Sequence, residues 1–461
     1  MPTLPIPNSR TATQRPSKPQ AARGGRTRHG PVRDARAKGT ALAAFAALAP
    51  LLLSGCASEA GPPVLTWYIN PDAGGQSALA KKCTEAADGA YTIQTSLLPN
   101  DAASQREQLA RRLAANDSSL DIMSLDPPFI PELAEPGFLA PVPEATAATT
   151  TANTLAGALA GATWKGTLVS VPFWANTQLL WYRKSVAEAA GLDLSQPVTW
   201  DQLIEAARDQ GKFLGVQGAR AESMTVWVNA LVEGAGGRIV EDPEAAKNDI
   251  TLGLESAAGE KAAEIVGTIG REGLGSAGLP TQAENESMLL FQGDKGSFMV
   301  NWPFVWPATN EAVKAGNLDG SLPEDIGWAL YPQTVAGQDP APPLGGINLG
   351  VGAASKHPDL AFHAIECIVA PENQAEYFLT NGNPPSDATA YDDPSVAESF
   401  PMAKTIRESL ELSAPRPQTP YYNEITTGIQ QNWAPPSDVT DQTPATTSEF
   451  ILEVLRGERL L

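Results

Sequence analysis

Between Leu65 and Asp126 the hydrophobic period changes four times, and that alternation leaves few folds open. Leu65-Thr-Trp-Tyr-Ile69 is a β-rich run, and a helix is expected over residues 76–88. Tyr91–Leu97 reads as a second strand. Gln105–Ala115 reads as a helix with Leu109 and Leu113 on one face, and Leu120-Asp-Ile-Met-Ser-Leu125 as a third strand closed by Asp126-Pro127-Pro128. Strand–helix–strand–helix–strand predicts parallel pairing in a doubly wound α/β sheet. Ligands of such sheets sit beyond the carboxyl ends of the strands. Asp72 follows the first strand and Asp126 ends the third, so both are expected in one crevice.

The alternation continues less regularly. Leu168–Phe173 and Gln178–Tyr182 are expected as strands on either side of Trp174-Ala-Asn-Thr177. Thr199-Trp-Asp-Gln202 has the form of a capping box, with Trp200, Leu203, Ile204 and Ala207 as the apolar stripe of its helix. A helix carrying Met224, Trp227, Val228 and Leu231 stops at Gly234-Ala-Gly-Gly237. Another helix ends at Met288–Phe291, and Phe298–Trp302 is a strand. Asn348–Gly352 is a strand leading into a helix over 358–370, and the tail beyond Pro401 is mostly helical. The Ala/Thr-rich stretch 145–161 reads as weak helices and loops on a surface. No tandem repeat is visible.

The N-terminus has another character. Residues 1–40 are basic and rich in Pro and Gly, and Ala41–Leu53 is an apolar run interrupted by Pro50. The run is too short for a mature membrane span and fits a signal h-region. It ends in Leu53-Ser-Gly-Cys56, which resembles the bacterial lipobox, where cleavage precedes the Cys and its sulfur takes a diacylglycerol. The alternative is an ordinary secretory signal with a chance Cys. The lipobox reading removes residues 1–55, leaves 56–63 as a tether, and anchors the body outside the cytoplasmic membrane through Cys56. Outside the cell, Cys83 and Cys367 are expected to be bridged, with two buried unpaired thiols as the alternative. The bridge would close a loop of roughly 300 residues and stabilise by roughly 2–5 kcal/mol.

Charge and rare residues exclude several functions. Acidic residues outnumber basic ones 52 to 32, for a net charge of −20. The leader is basic, so the body is more acidic still. Such a body repels phosphate backbones, and nucleic acid is not an expected partner. Of three His, His29 lies in the leader, and His357 and His363 form no His-Glu-x-x-His. No Cys-x-x-Cys occurs, so neither a histidine-rich metal site nor a zinc ribbon is available, and no metal or cofactor is expected. Neither a Gly-x-Ser-x-Gly elbow nor a Gly-x4-Gly-Lys-Ser/Thr loop is present, and no catalytic site is expected.

What remains is a set of aromatic, carboxamide and carboxylate groups at strand ends. Sugars offer flat C–H faces to Trp and Tyr, and hydroxyl pairs to Asp, Glu, Asn and Arg. Hydrogen bonds to charged groups contribute about 1.5–3 kcal/mol each, so a pocket of this kind reaches micromolar affinity without covalent chemistry. Each residue has a plainer use. Trp302, in Asn301-Trp-Pro-Phe304, could be core; Asp126 could cap the next turn; Asn176 could be a turn residue; Arg416, between two prolines, could be a loop charge.

Several runs carry a family resemblance: the lipobox, Leu120-Asp-Ile-Met-Ser-Leu-Asp126, Pro172-Phe-Trp-Ala-Asn-Thr-Gln-Leu-Leu-Trp-Tyr182, Asn301-Trp-Pro-Phe304, Gly345-Gly-Ile-Asn348 and Arg416-Pro-Gln-Thr-Pro-Tyr421. Together, over about residues 64–435, they resemble the extracellular solute-binding proteins of carbohydrate ABC importers, and among these the trehalose-binding lipoproteins of mycobacterial importers. The resemblance implies a periplasmic-binding-protein-like fold (type II) of two α/β lobes, 64–175 plus 347–384 and 176–346 plus 385–461, with crossovers near 174–178, 345–348 and 383–388. It places Cys83 and Cys367 in one lobe, in keeping with the bridge. It implies a monomer that passes a disaccharide, most of all trehalose, or another di- or oligosaccharide such as maltose, to ABC permease subunits and their ATPase. By motif, Asp72, Asp126, Asn176 and Glu284 would bond sugar hydroxyls and Trp302 would stack on a ring. Gly346 would let the backbone approach, and Arg416 would reach in as a fork of donors. The chain departs from the trehalose binders at Pro127-Pro128-Phe129, where they carry an aliphatic pair and Trp, and in a shorter stretch between Trp302 and Gly345. A reading from another class is a surface glycoside hydrolase using Asp126 and Glu284.

Overall fold

The computed structural model describes residues 61–461; the apolar leader run, the Cys56 motif and most of the expected tether lie outside them. β1 (Val64–Ile69), α1 (Gly75–Ala86), β2 (Thr92–Leu97), α2 (Ala102–Ala114) and β3 (Ile122–Leu125) follow the alternation in the sequence. β1 pairs parallel with both β2 and β3. Leu65, Trp67 and Ile122 are fully buried, because helices cover both faces of a parallel sheet and its strands must be apolar on both.

β4 (Thr163–Trp164) and β5 (Thr167–Leu168) form a two-stranded sheet of their own. β6 (Val171–Thr177) joins the first sheet and β7 (Leu179–Arg183) starts another, so Gln178 alone separates strands of different sheets. α3 (Trp200–Asp209) carries the expected capping box: Thr199 Oγ1 accepts from the Gln202 amide at 3.2 Å and Gln202 Oε1 from the Thr199 amide at 2.8 Å. β8 (Phe213–Gly215), α4 (Glu222–Gly234), α5 (Glu284–Gln292), β9 (Gly296–Asn301) and β10 (Ile326–Ala329) follow, and the second sheet runs β10-β7-β9-β8. β11 (Pro343–Val351) returns the chain to the first sheet. α6 (Pro358–Ile368), β12 (Ala414–Pro415) and α7 (Tyr422–Trp433) come later, and the first sheet is ordered β12-β11-β3-β1-β2 with β6 also on β11.

The chain is thus a mixed α/β protein built on two sheets, as the sequence predicts, with two local corrections. Trp174-Ala-Asn-Thr177 is not a break between strands but the second half of β6. Likewise β11 begins at Pro343, not Asn348. The two errors have one cause. Leu344–Ile347 pairs antiparallel with Trp174–Thr177, so each segment is a strand because of a partner about 170 residues away.

Each sheet has its own core. On the first, Phe173 packs edge-on to Trp67 at 5.9 Å and against Tyr377 at 4.9 Å. On the second, Trp200 packs against Trp227 and Tyr331, both at 6.0 Å. A third apolar cluster, with Ala175, Leu179, Trp181, Met299 and Leu344, spans the crossover itself. Polar bonds pin the crossover: Ser409 Oγ lies 3.2 Å from Thr177 Oγ1 and donates to the Gln178 carbonyl at 3.3 Å. Cys83 and Cys367 are disulfide-bonded, with Cα atoms 5.8 Å apart, and tie α1 to α6. Among the described residues no helix is long and apolar enough to cross a membrane.

Candidate functional site

Two sheets joined by short crossovers leave a cleft at their facing strand ends, and the candidate site lies there. Its cavity measures about 520 Å³. From the first sheet it receives Asn70 just after β1, Asp126 just after β3, Trp174 and Asn176 from β6, and Gly345–Ile347 from β11. From the other side come Glu222 and Ser223 at the start of α4, Glu284 at the start of α5, and Trp302 and Phe304 just after β9. A wider surface hollow of about 870 Å³ around Arg183, Asp294 and Asp319 has no aromatic lining and draws on the second sheet's side only, so it is the weaker candidate.

Acidic groups are placed at this cavity by helix starts. Asp101 is the N-cap of α2 and accepts from the Ser104 amide at 2.8 Å. Glu222 and Glu284 are the first residues of α4 and α5. The unsatisfied amides of a helix N-terminus carry partial positive charge and stabilise a carboxylate there. Burial pushes the Glu284 carboxyl above its ordinary range; its own backbone amide and the Trp302 indole pull the other way, while Glu222 and Glu286 add to the rise.

Arg416 binds the two sides together. It follows β12 and is 4% exposed. Nη2 donates to Asp126 Oδ1 at 2.6 Å and Nη1 to Glu222 Oε1 at 2.7 Å. Glu222 also accepts from the Tyr422 hydroxyl, from Thr426 Oγ1 at 2.7 Å and from Gln430 Nε2 at 3.4 Å. Burial works to lower the guanidinium's pKa, but Asp126, Tyr422 and Glu222 outweigh it and hold it well above its usual value. Burial pushes the Asp126 carboxyl up, with Arg416 opposing and Glu222 reinforcing. Phe129, on the turn after β3, meets the Tyr422 ring edge-on at 5.3 Å.

Asn301, fully buried at the end of β9, sets both groups beside it. Its Oδ1 accepts the Trp302 amide at 2.8 Å, and its Nδ2 donates to the Glu284 carbonyl at 2.9 Å. The Trp302 ring lies over Gly345, where a Cβ would come within 3.0 Å of it. Gly346 has φ +123°, and a Cβ there would sit 2.2 Å from the Trp174 carbonyl. Glycine is therefore demanded at 346 by the neighbouring strand, whatever the cavity holds.

Of the seven residues expected at a binding site, Asp126, Asn176, Glu284, Trp302, Gly346 and Arg416 line this one cavity. Asp72 does not. Its Oδ1 accepts from the Gly74 amide at 2.9 Å and its Oδ2 from the Gln76 amide at 2.8 Å, so it caps the start of α1 and leaves Asn70 as the nearer cavity residue. The expectation of Asp72 and Asp126 in one crevice is corrected accordingly: two residues, Asn70 and Pro71, separate the end of β1 from Asp72, enough to turn its side chain onto the helix. Arg416 differs in function from the expected fork, since both terminal nitrogens are already bonded to the protein's own carboxylates. Asn176 is 9% exposed, with Oδ1 accepting the Thr177 amide at 3.0 Å. Glu222 went unnoticed in the sequence. No local pattern marks it, because Tyr422 and Thr426 lie about 200 residues away. Trp174 was hidden in what looked like a turn.

The sequence family described as bacterial extracellular solute-binding protein matches residues 78–404. A probable ABC transporter-binding protein of Deinococcus radiodurans is 26% identical over 405 residues, covering 83% of this chain and 90% of its own. A mannitol-binding protein of Pseudomonas aeruginosa is 26% identical over 274 residues, 55% of this chain and 58% of its own. Among solved structures, maltose-bound MalE3 of T. maritima superposes with a TM-score of 0.71 at 23% identity, over 86% of this chain and all of the other.

Proposed function

The chain belongs to the bacterial extracellular solute-binding proteins, and on that footing we propose that it is the sugar-binding component of an ABC importer, acting outside the cytoplasmic membrane. The observation that carries the reading is the meeting of Trp174, Trp302, Asp126, Asn176 and Glu284 on one cavity drawn from both sheets. Aromatic faces beside carboxylates and carboxamides fit a saccharide, whose rings are apolar above and below and polar at the rim. The mannitol and maltose named for similar proteins lie in the same chemical range. A disaccharide is the proposed ligand, trehalose first and maltose second.

In this account Trp302 stacks on a sugar ring, and Asp126, Asn176 and Glu284 bond its hydroxyls. Gly346 keeps the floor low. Arg416 acts through the two carboxylates it holds. The lobes are 64–175 plus 347–384 and 176–346 plus 385–461, and a ligand touching both binds the closed arrangement better and shifts the population toward it. The closed monomer docks on permease subunits driven by a separate ATPase, and Cys56 carries the lipid that keeps it near them. The sugar is released unchanged.

Titration calorimetry with trehalose and maltose tests the ligand. Trp302→Ala is expected to weaken binding by about tenfold or more, from the lost stacking surface. Unchanged affinity in that variant removes Trp302 from the site. Asp126 and Glu284 share the cavity, so the same incubations are assayed for free glucose; its release would replace the binding account with a glycoside hydrolase.

A further inference from the structure

We propose that the cavity is selective by charge: it rejects anionic sugars and holds a saccharide bearing a basic amine more tightly than the neutral parent. The inference rests on the cavity being the sugar site and adds the class of sugar that fits it best.

The cavity's positive features are each set against the chain's own acids. Among the residues lining it, Arg416 is the one cation, and its terminal nitrogens go to Asp126 and Glu222. Helix N-termini are the other common anion sites. Here α2 starts at its N-cap Asp101, α4 at Glu222 and α5 at Glu284. An anionic ligand would meet an arginine whose two terminal nitrogens already donate to carboxylates, and would face four carboxyl groups.

The acids, by contrast, are not used up. The lining carries four carboxyl groups against one guanidinium, so acids outnumber bases among its side chains. Among the described residues, Asp126 Oδ2 receives no hydrogen bond and Glu284 has no Lys, Arg or His partner within ion-pair distance. Burial raises the Glu284 carboxyl by stripping water from its charged form, and an ammonium beside it would act in the opposite sense. A hydroxyl donates one hydrogen bond to such a group. An ammonium donates up to three and carries the opposite charge, and charge-assisted bonds are roughly twice as strong as neutral ones.

The test is calorimetry on the full mature chain at low salt with trehalose, maltose, trehalose bearing one amine in place of a hydroxyl at carbon 2, 4 or 6, and trehalose oxidised to the carboxylate at carbon 6. At least one amine is expected to bind about tenfold tighter than trehalose, and the carboxylate about tenfold weaker. In Glu284→Gln the best amine's advantage over trehalose should fall to about twofold or less. Three amines no tighter than trehalose, or a carboxylate that binds equally well, overturn the inference while leaving the neutral-sugar reading in place. Failure of all the sugars to bind overturns that reading and the inference with it. The wild-type panel decides the charge preference without any variant; an amine advantage that persists in Glu284→Gln overturns the role given to Glu284.

Discussion

Replacing Arg416 with Met is expected to lower the stability of the folded chain by about 3–5 kcal/mol, the usual cost of stripping the partner from a buried ion pair. The size follows from what is left behind. Asp126 and Glu222 would remain at a site where Arg416 is 4% exposed, each without its closest cation. Methionine fills much of the volume, so the loss reports charge more than packing. The pH dependence has a definite sign. The Asp126 carboxyl is already raised by burial, and loss of Arg416 raises it further. A carboxyl whose folded pKa lies above its unfolded one destabilises at neutral pH, and that penalty is relieved as pH falls through the folded pKa. The deficit of Arg416→Met should therefore shrink in urea unfolding as the pH is lowered from neutral. The triple variant Arg416→Met, Asp126→Asn, Glu222→Gln should recover most of the stability. A loss under about 1 kcal/mol in the single variant, typical of an exposed pair, would contradict the buried bridge.

Removing the Cys83–Cys367 bridge by paired alanine substitutions is expected to cost about 2–5 kcal/mol in urea unfolding. The sequence separation is 284 residues, so the cross-link restricts most of the unfolded body. Neither cysteine contributes to the cavity lining. Sugar affinity should accordingly stay within about twofold of wild type, as for distant, independent sites. A large fall in affinity at unchanged stability would show that the bridge holds the cleft in shape, contrary to this account.

The first sheet was readable because its evidence is local. β1, α1, β2, α2 and β3 each announce themselves by period and by their closing residues, and the capping box at Thr199 is complete within four positions. β6 and β11 were misjudged because each depends on the other across the chain. The site divides in the same way. Asp126 and Trp302 end strands, and their place at the cavity follows from that. Asp72 also follows a strand, yet the two residues between let it serve α1 instead. Glu222 could not be found by inspection of its neighbours. It matters through Arg416, Tyr422 and Thr426, which the fold alone brings to it. The two carboxylate partners of Arg416 were missed for a related reason: a charged residue's partners cannot be known until the acids around it are placed.

The most direct measurement is a crystal structure of the mature chain grown with trehalose, and with maltose in parallel. The account predicts one intact disaccharide in the cleft between the sheets, a ring face on Trp302 and hydroxyls on Asp126, Asn176 and Glu284, with Arg416 still joined to Asp126 and Glu222. An empty cleft at saturating sugar, density for separated glucose units, or a sugar seated elsewhere would contradict it.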